Sequence, residues 1–281
     1  MVSHSKYRLG SLAGSIARKL FLIFAILFII IPFIYFISVS FQPREFTQSL
    51  APNLNFKPTL DNYRRVFSSL HFFEFFKNSL IICTSATAIS LIIGSFAAYT
   101  ISRVKRKFVD NIAFWILTQR MLPAIAVLIP IYLLMARLRL LDTYPGIILI
   151  YTVLNLPYVV WMTRSFFEDI PIELDESAML DGCSKIRIIF RIIYPITKPG
   201  LFATGVFVFV LSWSEFIFAL IVTSIQTKTL PVAIASFITD VGIEWKSMTA
   251  AGSILIIPLA VLFFLIQKSL IKGLSFGAVK G

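Results

Sequence analysis

Residues 20–41 read LFLIFAILFIIIPFIYFISVSF, a run of 22 residues without a charged side chain. A bilayer core about 30 Å thick is crossed by roughly 20 mostly apolar helical residues, so the run predicts a membrane-spanning helix. Arg18 and Lys19 precede it, and Ser38-Val39-Ser40 is small enough to mimic a signal-peptide cleavage site. Because the run is longer than the usual signal-peptide core of about 7 to 15 residues, we expect the helix to be retained.

Five further segments have similar length and apolar character. They are 78–100, 112–136, 146–164, 200–222 and 252–270. Apolar residues make up 58% of the chain and charged residues 14%, whereas soluble proteins have roughly 45 to 50% and about 25%. The sequence therefore predicts an all-α polytopic membrane protein with six transmembrane helices, divided into a first helix with its outer loop at 20–77 and a five-helix core at 78–270.

The net charge of +12 is spread between the apolar segments and forms no continuous basic face, so we expect no nucleic-acid partner. If the N-terminus is inside, the cytoplasmic segments hold 16 Lys and Arg and the outer loops hold nine. Cytoplasmic loops carry the excess of these residues. Both termini, 1–19 and 271–281, are therefore predicted to be cytoplasmic, with a long inner loop at 165–199.

Residues for metal or nucleotide chemistry are missing from the sequence. Cys83 and Cys183 have no second Cys or His nearby, so neither a disulfide nor a metal site is predicted. His4 and His71 lie outside the predicted spans and no H-E-x-x-H occurs, which argues against an intramembrane enzyme. No G-x-x-x-x-G-K-[ST] loop occurs either, so we expect no cofactor on this chain and an energy source on a partner.

The inner loop contains the stretch PIELDESAMLDGCSK at 171–185. Pro171 suits a first helical position, the acidic residues that follow complement the helix dipole, and Gly182 is a natural C-terminal stop. The stretch predicts a short amphipathic helix. Its apolar stripe is formed by Ile172, Leu174 and Ala178 with Met179 or Leu180.

A second, basic helix is predicted from about Lys185 to Arg191, ending near Pro195. The pair could rest on lipid headgroups as interfacial helices. An anionic leaflet would repel the acidic first helix, however, so docking into the groove of a partner protein fits the pattern better.

The spacing in this loop resembles the EAA loop of bacterial ABC importer permeases, which reads E-A-A, three residues, G, nine residues, I-x-L-P. Here Glu176-Ser177-Ala178 is followed after three residues by Gly182 and after nine more by Ile192-Ile193-Tyr194-Pro195. The sequence departs from the motif at Ser177 and Tyr194, and both changes are mild.

Other stretches resemble the sugar-importing branch of these permeases, in particular the smaller permease type of the maltose transporter. They are Thr59–Tyr63, Lys77–Leu80, Leu156-Pro157, Trp161, Arg164, Phe166-Phe167, Ile170-Pro171, Trp213–Phe216 and Gly277–Gly281. The resemblance covers nearly the whole chain. It implies a type I importer permease of the MetI-like fold in the inner membrane of a bacterium.

The resemblance also implies partners and site residues. The partners would be a dimer of ATP-binding subunits that holds ATP and Mg²⁺, a second permease in a heterodimer, and an extracytoplasmic binding protein. The solute would be an oligosaccharide, a disaccharide or a related polyol or glycoside. The residues implied in contact with the ATP-binding subunits are Glu176, Ser177, Ala178, Asp181 and Gly182, with Lys280 and Gly281 of the tail.

Ionisable groups inside spanning helices are costly, so Arg120 and Glu215 are functional candidates. They lie roughly 12 Å and 22 Å from the cytoplasmic starts of their predicted helices, so a direct salt bridge between them is not expected. Arg120 fits snorkelling or a structural partner. Glu215 beside Trp213 could bind sugar hydroxyls while the indole covers the ring, or Glu215 could bond to a neighbouring helix while Trp213 packs.

Tyr151 and Asn155 reach depths similar to that of Glu215 and could line the same cavity, or they could form interhelical hydrogen bonds. Together with Trp213 and Glu215 they are the candidates for the solute pathway. The prolines that could break helices around such a cavity are Pro123, Pro130, Pro157 and Pro258.

Two alternatives stay open at this stage. The solute could be something other than a sugar, since the sequence does not name it. The chain could also be an ion-coupled carrier, for which midplane charges or an inverted repeat would be expected. Two scattered ionisable groups and no visible repeat argue against the carrier.

Overall fold

The computed structural model of the chain describes residues 4–43, 55–69, 71–240 and 242–277. Its α-helices are α1 (His4–Ser40), α2 (Asp61–Ser69), α3 (Phe72–Arg103), α4 (Lys107–Thr118), α5 (Ala124–Arg137), α6 (Tyr144–Glu168), α7 (Ile172–Leu180), α8 (Lys185–Ile188), α9 (Tyr194–Trp213), α10 (Ile217–Val222), α11 (Leu230–Ala235) and α12 (Trp245–Gly277). Strands β1 (Ile238–Thr239) and β2 (Gly242–Ile243) form a small antiparallel pair between α11 and α12. The predicted all-α class is confirmed.

Within the described ranges, five helical stretches are long and apolar enough to cross a membrane. They are Ala17–Ser40, Phe72–Arg103, Tyr144–Glu168, Lys185–Trp213 and Trp245–Leu265. A sixth crossing is formed if the bent pair Lys107–Met121 and Ala124–Arg137 counts as one span. Counted in this way, the described residues give the six predicted spans, one of them broken.

The third predicted span, 112–136, is not the continuous helix that the sequence suggests. α4 gives way to a 3₁₀ turn at Gln119–Met121, and α5 leaves at an angle of 98°. Leu122 is extended, with ψ of 126°, because a following proline disfavours the helical conformation. Of the four prolines predicted to break helices, Pro123 is the one that stands at a helix break. The other three, Pro130, Pro157 and Pro258, lie inside α5, α6 and α12.

The fifth predicted span, 200–222, is shifted. α8 continues through a π-helical turn at Ile189–Ile193 into α9, so the helix runs from Lys185 to Trp213. The predicted separate basic helix ending near Pro195 is therefore wrong. Proline lacks the N–H of a regular turn, and the wide turn just before Pro195 takes up this defect without ending the helix.

By their contacts the described residues form two units. One contains the residues up to Ser69 together with Phe237–Ile254, and the other contains those from His71 to Ser236 together with the residues from Leu255 onward.

In the first unit, α2 is bound to the end of α1. The side-chain amide of Asn62 is fully buried and donates to the carbonyls of Ser40 (2.9 Å) and Gln42 (2.8 Å). The last carbonyls of a helix lack intrahelical partners, so Asn62 closes the end of α1. On the same helix, Phe36 packs against Gly252 of α12, where a Cβ would lie 2.7 Å from the ring.

In the second unit, α3 and α6 lie side by side and run parallel. Ser90 donates to the carbonyl of Thr152, and further along the pair Arg103 donates to the carbonyl of Phe167. A Cβ added at Gly94 would lie 2.6 Å from a side-chain carbon of α6. Small residues at such contacts let helices pack closely within a membrane.

Asp142, between α5 and α6, holds the loop that follows α10. Its carboxylate accepts hydrogen bonds from the backbone N–H groups of all four residues 224–227, at 2.9 to 3.1 Å, and from the hydroxyl of Thr227 at 2.9 Å. Its own N–H donates to the carbonyl of Val222 at 2.8 Å. We call this set of contacts the Asp142 clamp.

The start of α3 binds the same loop. The side-chain amide of Asn78 donates to the carbonyls of Gln226 (2.9 Å) and Lys228 (3.2 Å), and the hydroxyl of Ser79 accepts from the N–H of Leu230 (2.7 Å). Asp142 therefore binds N–H groups of this loop, and Asn78 binds two of its carbonyls.

We expect Asp142→Asn to lower the free energy of unfolding by about 1 to 3 kcal/mol, because the amide cannot accept all these bonds. Burial alone would raise the pKa of Asp142, but the N–H groups of residues 224, 226 and 227 outweigh it and lower the pKa. The stabilisation that comes from the lowered pKa of Asp142 is fully present at pH values above the pKa of this carboxyl in the unfolded chain. It is lost as the pH falls through the pKa of the same carboxyl in the folded chain.

The measurement is thermal unfolding in detergent between pH 7 and pH 3, comparing wild type with Asp142→Asn. The difference between them should shrink at the acidic end. Asp240→Asn, at an exposed aspartate between β1 and β2, is the control and should match wild type. A difference that stays constant with pH would contradict the role of the carboxylate.

Candidate functional site

The helix α7 is defined by local contacts at its C-terminal end. Gly182 has φ of +81°, its N–H donates to the carbonyl of Met179 (3.0 Å), and the N–H of Cys183 donates to that of Ala178 (2.9 Å). These two bonds form a Schellman motif, in which glycine adopts the left-handed conformation at low cost. The predicted C-terminal stop at Gly182 is confirmed. Pro171 stands one residue before the helix and not within it.

The residues assigned to coupling lie mostly on the exposed side of α7 and its C-terminal turn. Glu176, Ser177, Asp181 and Gly182 are exposed, and Ala178 is buried. Of the predicted apolar stripe, only Ala178 is buried within this chain. The exposed members of the stripe, with exposed fractions from 40% to 90%, are Ile172, Leu174, Met179 and Leu180.

The face of α7 that turns toward its own chain carries an acidic residue, Asp175, next to Ala178. Asp175 is 3% exposed and forms an ion pair with Arg103 at 2.7 Å. From the sequence, Asp175 is one of the acidic residues after Pro171 that complement the helix dipole, and its contact with Arg103 was not predicted. The sequence signal for this inward-facing position was the spacing of three residues, which places Asp175 on the same side of the helix as Ala178.

A cavity of about 650 Å³ opens between two helix breaks. Gln119, Arg120 and Leu122 line it at the break between α4 and α5, and Glu215 lines it at the break between α9 and α10. The walls are mainly apolar side chains of α5 and α6, including Pro157. Both candidate intramembrane charges therefore face one space. No ion pair joins Arg120 to Glu215 in the part of the chain that the structure describes.

Arg120 lies in the 3₁₀ turn and not inside a helix. Its guanidinium donates to the carbonyl of Leu154 (3.2 Å) and to the hydroxyl of Tyr158 (2.8 Å), and it stands 4.3 Å from the centre of the Tyr158 ring. This matches the expectation of a structural partner. The residue remains exposed along one side, toward the cavity.

Glu215 starts α10. One carboxylate oxygen accepts the N–H of Phe218 (3.0 Å) and the other that of Ala219 (3.2 Å). The first N–H groups of a helix have no intrahelical acceptor, and a carboxylate there also complements the helix dipole. The capping role of Glu215 explains why α9 and α10 separate where the sequence contains neither glycine nor proline.

The other pathway candidates are buried. Asn155 donates to the hydroxyl of Ser212 at 2.7 Å, which joins α6 to α9. Tyr151 is 1% exposed and lies 3.4 Å from the carbonyl of Glu215. Trp213 is also 1% exposed, donates to the carbonyl of Leu255 at 3.0 Å and stacks on a neighbouring phenylalanine. These placements agree with the interhelical and packing alternatives, and Glu215 alone of the four candidates lines the cavity.

Lys280 and Gly281, the tail residues assigned to the ATPase contact, lie outside the described residues. Their role stays an expectation.

The comparisons with known proteins place these features in one family. Residues 90–276 match the family model of the binding-protein-dependent transport system inner membrane component. The trehalose/maltose transport system permease protein MalG of Thermococcus litoralis is 39% identical, covering 94% of this chain and 97% of that protein. The sulfoquinovosyl glycerol transport system permease protein SmoH of Agrobacterium fabrum is 37% identical over 80% of this chain and 79% of its own length.

A chain of the bacterial ABC transporter involved in import of the acidic polysaccharide alginate shares the fold. It superposes with a TM-score of 0.77 at 22% sequence identity, over 95% of this chain and 98% of that one. The match spans almost the whole of both chains and includes the predicted MetI-like permease architecture. This chain belongs to the family of binding-protein-dependent transport system inner membrane components.

Proposed function

We propose that this chain is one of two permease subunits of an ATP-binding-cassette importer that carries a sugar delivered by an extracytoplasmic binding protein. Family membership supports the transport role, and the relatives named for trehalose/maltose and for sulfoquinovosyl glycerol support the sugar. The observation that carries the proposal is α7, a short helix in a long loop that exposes Glu176, Leu180 and Asp181 beside its glycine stop.

The exposed side of α7 is the surface through which ATP energy would enter. A nine-residue helix that leaves Leu180 at 90% exposure, next to exposed Glu176 and Asp181, has the mixed apolar and acidic surface that a groove on a partner would cover. ATP binding would close a dimer of nucleotide-binding subunits, which hold ATP and Mg²⁺. α7 would follow, and the permease pair would change from inward-facing to outward-facing.

The cavity between the two helix breaks is our candidate for the solute path, since discontinuous helices are a recurrent way to build transport sites. Glu215 uses two of about four acceptor positions and Arg120 two of five N–H donors in contacts within the chain. Each can therefore bind a sugar hydroxyl without giving up its structural bonds.

The proposal also includes a second permease subunit and an orientation of the chain in the membrane. A second permease would form the other half of the translocation path in a heterodimer. The excess of Lys and Arg supports an orientation with α7 and both termini on the cytoplasmic side. The tail residues Lys280 and Gly281 would then be free to reach the nucleotide-binding subunits.

The assembly is tested by purifying the chain in detergent after co-expression with its transport partners. We expect an ATPase and a second permease to co-purify, and the reconstituted complex to hydrolyse ATP faster when the binding protein carries a sugar from a panel of disaccharides, oligosaccharides and glycosides. A stable preparation without an ATPase would contradict the importer, and stimulation by amino acids alone would contradict the sugar.

Changing Gly182 should uncouple ATP hydrolysis from transport. We expect Gly182→Val to strain the turn by about 1 to 2 kcal/mol, since a residue with a Cβ is disfavoured at φ of +81°. The matched control is Gly182→Asn, because asparagine tolerates the left-handed conformation. Sugar uptake by proteoliposomes should fall for the valine variant and persist for asparagine at equal membrane levels. Normal uptake by Gly182→Val would refute the role of this turn.

Filling the cavity should block transport. Val127 lines it from α5, whereas Ile125 of the same helix is 74% exposed and does not line it. We expect Val127→Trp to lower sugar uptake about tenfold, the effect of 1.4 kcal/mol on a barrier, and Ile125→Trp to leave uptake unchanged. Uptake assays in proteoliposomes with equal amounts of complex decide this. Equal uptake by the two variants would place the path elsewhere.

A further inference from the structure

A single buried carboxylate connects α7 to the helices that cross the membrane. Oδ2 of Asp175 accepts from Nε of Arg103 at 2.7 Å and from the hydroxyl of Tyr99 at 2.9 Å. Arg103 is the last residue of α3, and Tyr99 lies one turn earlier on the same helix. The side chains of Arg103 and Asp175 are 12% and 4% exposed, so the pair is shielded from water.

The same guanidinium also holds the end of α6. Nη1 of Arg103 donates to the carbonyls of Phe167 (3.0 Å) and Ile170 (3.1 Å), at the last turn of α6 and in the link to α7. Carbonyls at the end of a helix lack intrahelical partners and favour a positive charge. One side chain of α3 therefore binds α6, the link and α7 together.

The surroundings of the pair make it difficult to separate. Tyr99, Phe167, Ile170 and Ala178 belong to one buried apolar cluster around it. Pulling Asp175 away from Arg103 there would leave two uncompensated charges in a medium of low dielectric constant. A displacement of α7 is therefore passed to the end of α3, because moving the two helices together preserves the ion pair.

Packing alone would not fix the beginning of α7 in this way. A cavity of about 680 Å³ borders the first turn, lined by Ile172 and Glu173 on one side and by the end of α3 on the other. An apolar contact at this boundary would allow α7 to shift toward the open space. The ion pair is directional and resists such a shift.

The pair is also poorly optimised for stability. Oδ1 of Asp175 and Nη2 of Arg103 are buried without a hydrogen-bond partner among the described residues. Buried ion pairs with unsatisfied atoms are often no more stable than an apolar replacement of similar volume. A role in transmitting motion accounts for a charged contact at this position better than a role in folding.

We infer that Arg103 and Asp175 are positioning residues that form the rigid joint between α7 and the spanning helices α3 and α6. The inference rests on the proposed function, in which ATP-driven movement enters through α7. Movement of α7 pulls the ends of α3 and α6 through this joint, and without the joint α7 moves while the spanning helices lag behind.

The test uses the reconstituted complete complex and measures the number of sugar molecules imported per ATP hydrolysed. We expect Asp175→Asn, which keeps the size of the side chain and removes its charge, to lower this ratio by about 3- to 30-fold while ATP hydrolysis continues. The matched control is Glu168→Gln, which removes a pair of similar length (2.6 Å) within α6, and its ratio should equal that of wild type.

A second variant separates transmission from folding. Arg103→Met combined with Asp175→Leu replaces the pair by apolar side chains, which is expected to preserve assembly. If the joint transmits motion, the double variant assembles and hydrolyses ATP but imports sugar poorly. A wild-type ratio in either Asp175→Asn or the double variant would overturn the inference and leave the proposed function standing. A wild-type complex that imports no sugar would overturn the proposed function itself.

Discussion

In a bilayer, a backbone N–H or carbonyl group that leaves a regular helix must find a partner inside the protein, because lipid offers none. At several helix ends of the described residues, polar side chains bind such backbone groups. Asn62 binds the carbonyls at the end of α1, Glu215 binds the N–H groups at the start of α10, and Arg103 binds the carbonyls at the end of α6. Asp142 does the same for an entire loop.

These contacts give the second unit a simple organisation. Polar side chains join the parallel helices α3 and α6 at both ends: the hydroxyl of Tyr144 donates to Asn78 at their beginnings (2.6 Å), and Arg103 donates to the carbonyl of Phe167 at their ends. Between those ends, close packing at positions such as Gly94 holds the helices together. The pair is thus joined along its whole length. The surfaces that we propose as functional lie at the two helix breaks and on the exposed side of α7.

Features that depend on neighbouring residues can be predicted from the sequence, whereas features that depend on distant contacts or on a specific side-chain contact cannot. Spans such as 20–41 and 146–164 are predictable because length and apolar composition decide them locally. The break beside Pro123 has a local cause as well. The break before α10 has no such signal, since it depends on the side chain of Glu215 capping the next helix. The prediction from the sequence therefore joined α9 and α10 into one span, 200–222.

The candidate site divides in the same way. Gly182 is predictable, because a helix stop needs only its own backbone conformation. The contact of Arg103 with Asp175 is not, because 72 residues separate the partners and an acidic residue is ordinarily assigned to the exposed side of a helix. Trp213 is a candidate for the solute path by its chemistry, but in the structure it is buried against two phenylalanine rings and donates to the carbonyl of Leu255.

The bend between α4 and α5 has a consequence for the surrounding lipid. At 1.5 Å per residue the arms Lys107–Met121 and Ala124–Arg137 are about 22 and 21 Å long, and with a bend of 98° they reach about 29 Å from end to end. That distance approaches the thickness of the hydrocarbon layer only if both arms tilt by roughly 50°, which is more than the usual 0 to 40°. A membrane crossing formed by this pair would therefore have both arms strongly tilted, with large exposed apolar side chains such as Trp115 and Ile129 available to the lipid or to another protein.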